Sequence, residues 1–125
     1  MRETPLAGKH CLVLDDEFLI ALDIQQCLEK AGAASVKCFA SAADCVAALQ
    51  GGAHYDLAVL DFKLGDGADT GHSIATLLKQ QATPFVFVTG MRSRDIRSAD
   101  FSNAPVVEKP YEIKVLLDAV YRALA

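Results

Sequence analysis

Five residues of this 125-residue chain have types that can do chemistry together: the adjacent carboxylates Asp15 and Asp16, a third carboxylate at Asp61, a hydroxyl at Thr89 and an ammonium at Lys109. Each lies at or just past the end of a short apolar run, with Leu12, Val13 and Leu14 before Asp15, Ala58, Val59 and Leu60 before Asp61, Val86, Phe87 and Val88 before Thr89, and Val106 and Val107 shortly before Lys109. If those runs are parallel strands of one sheet, the five side chains converge at its carboxyl end, where open α/β sheets keep their ligand crevice. Three carboxylates within a few ångströms repel one another, so such a cluster must take up protons or recruit a cation. All-oxygen ligation by carboxylates, a backbone carbonyl and waters suits Mg²⁺, whose remaining positions accept phosphate oxygens. Thr89 and Lys109 would bind the other oxygens of a phosphoryl group attached to Asp61, the carboxylate nucleophile.

The elements needed to bring these residues together follow from the hydrophobic pattern. Apolar runs of about five residues alternate with longer stretches of helical period. After His10–Leu14, the residues Ile20, Ile24, Cys27, Leu28 and Ala31 form one helical face that stops at Gly32. Ser35–Phe39 reads as a strand. Ser41 then caps a helix with the face Ala42, Cys45, Val46 and Leu49, ended by Gly51 and Gly52. Residues 57–60 form the third strand, 63–71 are turn-rich, and Ile74, Leu77 and Leu78 mark a helix ending near Ala82. The unbroken apolar run 85–88 is of the type buried on both faces of a parallel sheet. A short exposed helix is expected over 91–100, where Arg92, Arg94 and Arg97 fall. Val106 and Val107 form the last strand, and Ile113, Leu116, Leu117, Val120 and Leu124 a strongly amphipathic final helix. Five strand-helix units with short connections build a doubly wound α/β fold with helices on both faces of a parallel sheet. The domain is expected over 8–125, after a lead of residues 1–7.

Composition narrows the functions. At 13.4 kDa and 52% hydrophobic residues the chain fits one domain with a continuous core. Its formal net charge of −4 argues against direct binding to nucleic acid or an anionic membrane. No apolar run approaches the length of a membrane span, and residues 1–5 open no signal peptide, so a cytoplasmic protein is expected. Cys11, Cys27, Cys38 and Cys45 form no CxxC pair, and His10, His54 and His72 stand outside zinc-like spacing, so the cysteines read as reduced core residues.

With Asp15 and Asp16, Asp61, Thr89 and the pair Lys109-Pro110 in this order at successive strand ends, the chain resembles the receiver domains of two-component response regulators from about residue 10 onward. The resemblance implies a five-stranded flavodoxin-like sheet of order 2-1-3-4-5. It implies that Asp61 accepts a phosphoryl group from the phosphohistidine of a sensor histidine kinase or a histidine phosphotransfer protein. It further implies direct Mg²⁺ ligation by Asp16 and Asp61, looser ligation through water by Asp15, and a fourth ligand from the carbonyl of Lys63. Thr89 would move toward the phosphate and Lys109 would pair with it, with a cis bond before Pro110. Such a domain is no enzyme in the ordinary sense, since it catalyses only its own phosphorylation and dephosphorylation. A downstream protein would read the face made by the helix over 91–100, the last strand and the final helix.

Three positions depart from the family pattern. Val106 stands where a switch aromatic is common, residues 63–67 are glycine-rich, and Gly90 follows Thr89, as in a receiver subset with Phe-x-Thr-Gly that suits a relay or sink role. The Lys63 side chain is expected to overhang the phosphate entrance and alter the lifetime of the acyl phosphate, and Phe101 is the candidate to fill the space beside Val106. Taken alone, Asp15, Asp16 and Glu17 read as acids at the positive end of a helix, and Asp61, Thr89 and Lys109 have ordinary turn or strand-end explanations. Asp44, Asp66 and Asp69 read as solvent-facing or turn residues and His72 as a surface histidine. An aspartyl-phosphate phosphatase or phosphotransferase is the alternative enzyme, disfavoured because Lys63 holds the place of its second acid. A flavodoxin-like cofactor module is disfavoured because the acids after the first strand repel phosphate.

Overall fold

The computed structural model describes residues 6–61, 70–90 and 104–124. The apolar runs become five parallel strands: β1 (His10–Leu14), β2 (Ser35–Phe39), β3 (Leu57–Leu60), β4 (Phe85–Thr89) and β5 (Val106–Glu108), in the order β2-β1-β3-β4-β5. Four helices are described: α1 (Phe18–Lys30), α2 (Ala42–Gln50), α3 (Thr70–Gln80) and α4 (Ile113–Leu124). The expected doubly wound architecture and its strand order are both present.

Because strand side chains alternate between faces, a strand buried throughout must feed two cores. Cys11 and Val13 of β1, Leu57 and Val59 of β3, and Val86 and Val88 of β4 pack against α1 and α4 through Ile24, Leu28, Leu116 and Val120. The intervening Leu12, Leu14, Ala58, Leu60 and Phe87 face the opposite side, where Cys45 and Leu49 of α2 and Ile74 and Leu78 of α3 meet them. Phe85 and Phe87 stack edge to face at 5.4 Å between centroids.

Local chemistry ends the helices where it should. Ser41 Oγ accepts the Asp44 N–H at 3.2 Å, capping α2, and Gly32 and Gly52 take φ of +108° and +102° just past α1 and α2, conformations that suit glycine. Cys11, Cys27 and Cys45 are buried free thiols, with Cys38 half-buried. Burial pushes the Cys11 thiol up to about 11 and that of Cys45 to about 12, as expected of inert core sulfur.

Two details differ from the sequence reading. Leu6, placed in the lead, is fully buried with the α1 and α4 core, and Ala7 bridges to Ala33, so packing begins before residue 8. Ile113, expected on the buried face of the final helix, is 53% exposed and Leu117 is half-buried, whereas Ala119 is buried beside Leu116 and Val120. The first turn of α4 follows directly on the carboxyl end of the sheet, where the three-residue β5 offers little surface to cover. The expected helix over 91–100, Lys63, Asp66, Asp69 and Phe101 lie outside the described residues. Among the described residues no helix is long and apolar enough to cross a membrane.

Candidate phosphoryl-acceptor site

Register at the strand ends builds the site. Leu14 lies opposite Phe39 of β2 and Leu60 of β3, and the ladder runs one residue further on each side: the Asp15 N–H donates to the Phe39 carbonyl at 3.1 Å and the Asp61 N–H to the Leu14 carbonyl at 2.8 Å. The two carboxylates therefore start side by side where regular pairing stops. Both are nearly closed to solvent, Asp15 at 2% exposure and Asp61 at 5%, whereas Asp16 and Glu17 are exposed. One oxygen from each of Asp15, Asp16, Glu17 and Asp61 falls within 4.8 Å of the others.

Lys109 reaches into this cluster from the far side of the sheet. Its Nζ donates to Asp15 Oδ2 at 3.0 Å, Glu17 Oε1 at 3.2 Å and Asp61 Oδ2 at 3.3 Å, using all three of its N–H bonds. The Lys109-Pro110 peptide is cis. Thr89 closes β4 opposite Glu108, so its backbone stands beside the residue preceding Lys109. The structure thus brings together Asp15, Asp16, Asp61 and Lys109, all four of which were singled out from the sequence.

The electrostatics show a deficit of positive charge. Burial pushes the Asp15 carboxyl above the usual range, opposed by the bond from the Glu17 N–H and by the ammonium of Lys109. For Lys109 burial acts downward, yet its bond to Asp15 and the fields of Asp15 and Asp61 outweigh it and hold the ammonium above its ordinary value. An ion pair that satisfied both partners would lower the acid as it raised the base; Asp15 stays raised because the ammonium and the Glu17 N–H do not offset its burial, to which the Glu17 carboxylate adds. Four ionised carboxylates and one ammonium carry a net −3. An all-oxygen donor set with that surplus fits a hard divalent cation, with the lysine standing in for part of its charge.

Sequence reading missed the part played by Glu17, which it took for a helix-end acid. Glu17 is the N-cap residue of α1, but its side chain makes no capping bond and goes to Lys109 instead. The acceptor at this turn is Asp15, whose Oδ1 takes the Glu17 N–H at 2.9 Å. Also unforeseen is the tie from Tyr111 Oη to Asp23 Oδ2 at 3.2 Å, which joins the loop after β5 to α1. Only the third acid of the run Asp15, Asp16, Glu17 hinted at the first of these.

The sequence matches the response regulator receiver domain family over residues 11–121. A response regulator receiver protein from Sinorhizobium medicae superposes with a TM-score of 0.83 at 27% identity, covering 94% of each chain. SdrG from Sphingomonas melonis gives 0.74 at 28% identity over 97% of this chain and 98% of its own. The N-terminal domain of a response regulator/sensory box/GGDEF protein from Carboxydothermus hydrogenoformans gives 0.76 at 30% identity, covering 93% and 94%. No curated protein matches the chain. A family match spanning nearly the whole chain, on a sheet whose strand ends gather an acidic cluster around one lysine, places this protein among the receiver domains of response regulators.

Proposed function

We propose that Asp61 is the phosphoacceptor of a Mg²⁺-dependent phosphorelay, taking its phosphoryl group from the phosphohistidine of a kinase or a histidine phosphotransfer protein. In that step an Asp61 carboxylate oxygen bonds to phosphorus, the phosphorus-nitrogen bond breaks, and the imidazole leaves with the electron pair. The reading is supported by one observation above the rest: Asp61 shares Lys109 with Asp15 inside an acidic cluster that one ammonium leaves undercharged.

Asp16 and Asp61 would hold the metal directly, Asp15 through water, and Lys63 through its carbonyl. The metal would supply charge neutralisation for the phosphoryl oxygens. Lys109 would neutralise a further oxygen from the opposite side, and the Thr89 hydroxyl would take another once phosphate is present. Asp15 already spends one oxygen on the Glu17 N–H and the other on Lys109, which suits an indirect role toward the metal.

The partners follow from surface chemistry. Phe18 and Leu19, 75% and 76% exposed, stand at the start of α1 beside a groove lined by Glu17, Ile20, Asp23, Pro110 and Tyr111. A phosphodonor must seat its histidine near this rim. Exposed Ile113, Val115 and Tyr121 on α4 would contribute to the surface read by a downstream protein. Phosphorylation would shift an existing equilibrium between two conformations rather than turn over a substrate, and the domain, packed from Leu6 onward, would act in the cytoplasm.

Incubation with acetyl phosphate, with and without Mg²⁺, followed by intact mass tests the proposal. One phosphoryl group should be gained only with Mg²⁺, and none by Asp61→Asn. Uptake by the Asp61→Asn protein at the native rate would place the acceptor elsewhere.

A further inference from the structure

The three acceptors of Lys109 do not share one fate under the phosphoryl-transfer reading, on which this inference rests. Asp61 gives up its anionic oxygen to an anhydride, and Asp15 must share its charge with a cation. Glu17 is the one partner of the ammonium that the reaction leaves chemically unchanged. Its place is well fixed. The Glu17 N–H donates to Asp15 Oδ1 at 2.9 Å, and its carbonyl accepts the Ala21 N–H at 3.0 Å. Its carboxylate is exposed and sits 3.2 Å from Lys109 Nζ. The bond from Tyr111 Oη to Asp23 ties the same loop to α1 a second time, so residues 109 and 111 are both held to that helix region, one on either side of Pro110.

We propose that Glu17 is a positioning residue for Lys109: it keeps the ammonium at the rim of the acidic cluster when a cation claims the carboxylates of Asp15 and Asp61, ready for the phosphoryl oxygens. Without it, a divalent cation in the cluster would weaken the pull of Asp15 and Asp61 on the lysine and leave Asp15 Oδ2 as its main anchor. Glu17 acts through Lys109 and is not itself a metal ligand, although its carboxylate belongs to the four-acid cluster. An exposed carboxylate that already bonds an ammonium is a better mooring than a ligand. On the same reading the adjacent exposed Asp16 would serve the metal directly.

Three measurements on the full chain test this with Glu17→Ala and Glu17→Gln, the latter keeping an acceptor oxygen without the charge. In lysine-labelled protein with Mg²⁺ present, the Cε methylene of Lys109, identified by its loss in Lys109→Met, should show restricted motion in the native chain. It should average toward free-lysine behaviour in Glu17→Ala and lie between in Glu17→Gln. Mg²⁺ affinity by calorimetry should change by less than about fivefold in either variant, the size expected from losing one exposed charge. The rate of phosphorylation by acetyl phosphate at saturating Mg²⁺ should fall about tenfold in Glu17→Ala, with no further fall when that change is added to Lys109→Met. An unchanged Lys109 signal in Glu17→Ala overturns the proposal. So does a loss of Mg²⁺ affinity beyond about a hundredfold in Glu17→Gln, more than the loss of a residue that only supports the ligands costs, which would make Glu17 a ligand. If the native chain takes up no phosphoryl group, the functional reading fails, and the methylene signal still decides whether Glu17 holds the lysine.

Discussion

The two ends of the sheet carry similar residue types and handle them in opposite ways. At the amino end Asp56 Oδ2 accepts the His10 N–H at 2.8 Å, His10 Nδ1 meets Ser35 Oγ at 2.7 Å, and the buried Thr83 hydroxyl donates to the Tyr55 carbonyl at 3.4 Å. The acid there finishes a strand ladder by taking up a backbone donor. At the carboxyl end four acids gather around one ammonium, and the most buried of them, Asp15, is held above its ordinary range. A folded domain gains nothing in stability from crowding like charges, so the second arrangement fits one that, on the proposed function, a cation completes. The difference separates an acid that serves the fold from acids whose crowding the proposed function explains.

The contrast is broken most severely at its centre. Asp61→Asn should abolish phosphoryl uptake, read by intact mass, while the protein stays folded. Next in size is Lys109→Met, which removes the ammonium bonded to Asp15, Glu17 and Asp61. Breaking a largely buried ion pair costs about 3 kcal/mol, to be read by urea denaturation at neutral pH. The pH dependence has a definite sign. Asp15 has its folded value raised, so its contribution to stability is complete below the ordinary carboxylate value near ~4 and is lost as pH rises through the raised one. Without Lys109 ionising Asp15 becomes harder still, so the deficit should shrink as pH is lowered toward ~4. The contribution of Lys109 in the native chain persists below its ordinary value near ~10.4 and fades as pH passes its raised one.

Supplying the missing charge should sharpen the same contrast with a smaller effect. Mg²⁺ at a hundred times its dissociation constant should stabilise the native chain by about 2.7 kcal/mol. The gain should vanish in Asp16→Asn/Asp61→Asn, in which two of the four clustered carboxylates are neutral. Stabilisation that persists in the double variant would mean that the ion binds elsewhere.

What was legible beforehand follows the range of the interactions. An apolar run ended by Asp15 or Asp61 is a local signal, and parallel pairing places such ends side by side, so the cluster could be read from strand ends alone. Glu17 could not, because its partner lies 92 residues away and its own position looks like an ordinary helix start. Ile113 was misplaced for a related reason. Helical period tells which residues share a face but not where the sheet beneath ends, and β5 stops at Glu108. Leu6 has no periodic neighbours to announce it, and only the assembled core shows that it is buried.

The smallest effect belongs to the amino end and tests whether the two ends are independent. Asp56→Ala removes the acceptor of the His10 N–H at an exposed place where water can substitute, so it should cost about 1 kcal/mol in urea denaturation. It should leave the phosphorylation rate and the response to Mg²⁺ as they are. Asp56 and Asp61 flank the four residues of β3, about 16 Å apart along an extended strand. At that separation two changes should add to within about 0.5 kcal/mol, so the double variant Asp56→Ala/Asp61→Asn should show the sum of the two single effects. Coupling well above that would mean that β3 transmits strain from one end to the other, because among the described residues none of the hydrogen bonds or ion pairs named at either end reaches across. In that event the acid that closes the ladder would belong to the site after all, and the division between the two ends of the sheet would fail.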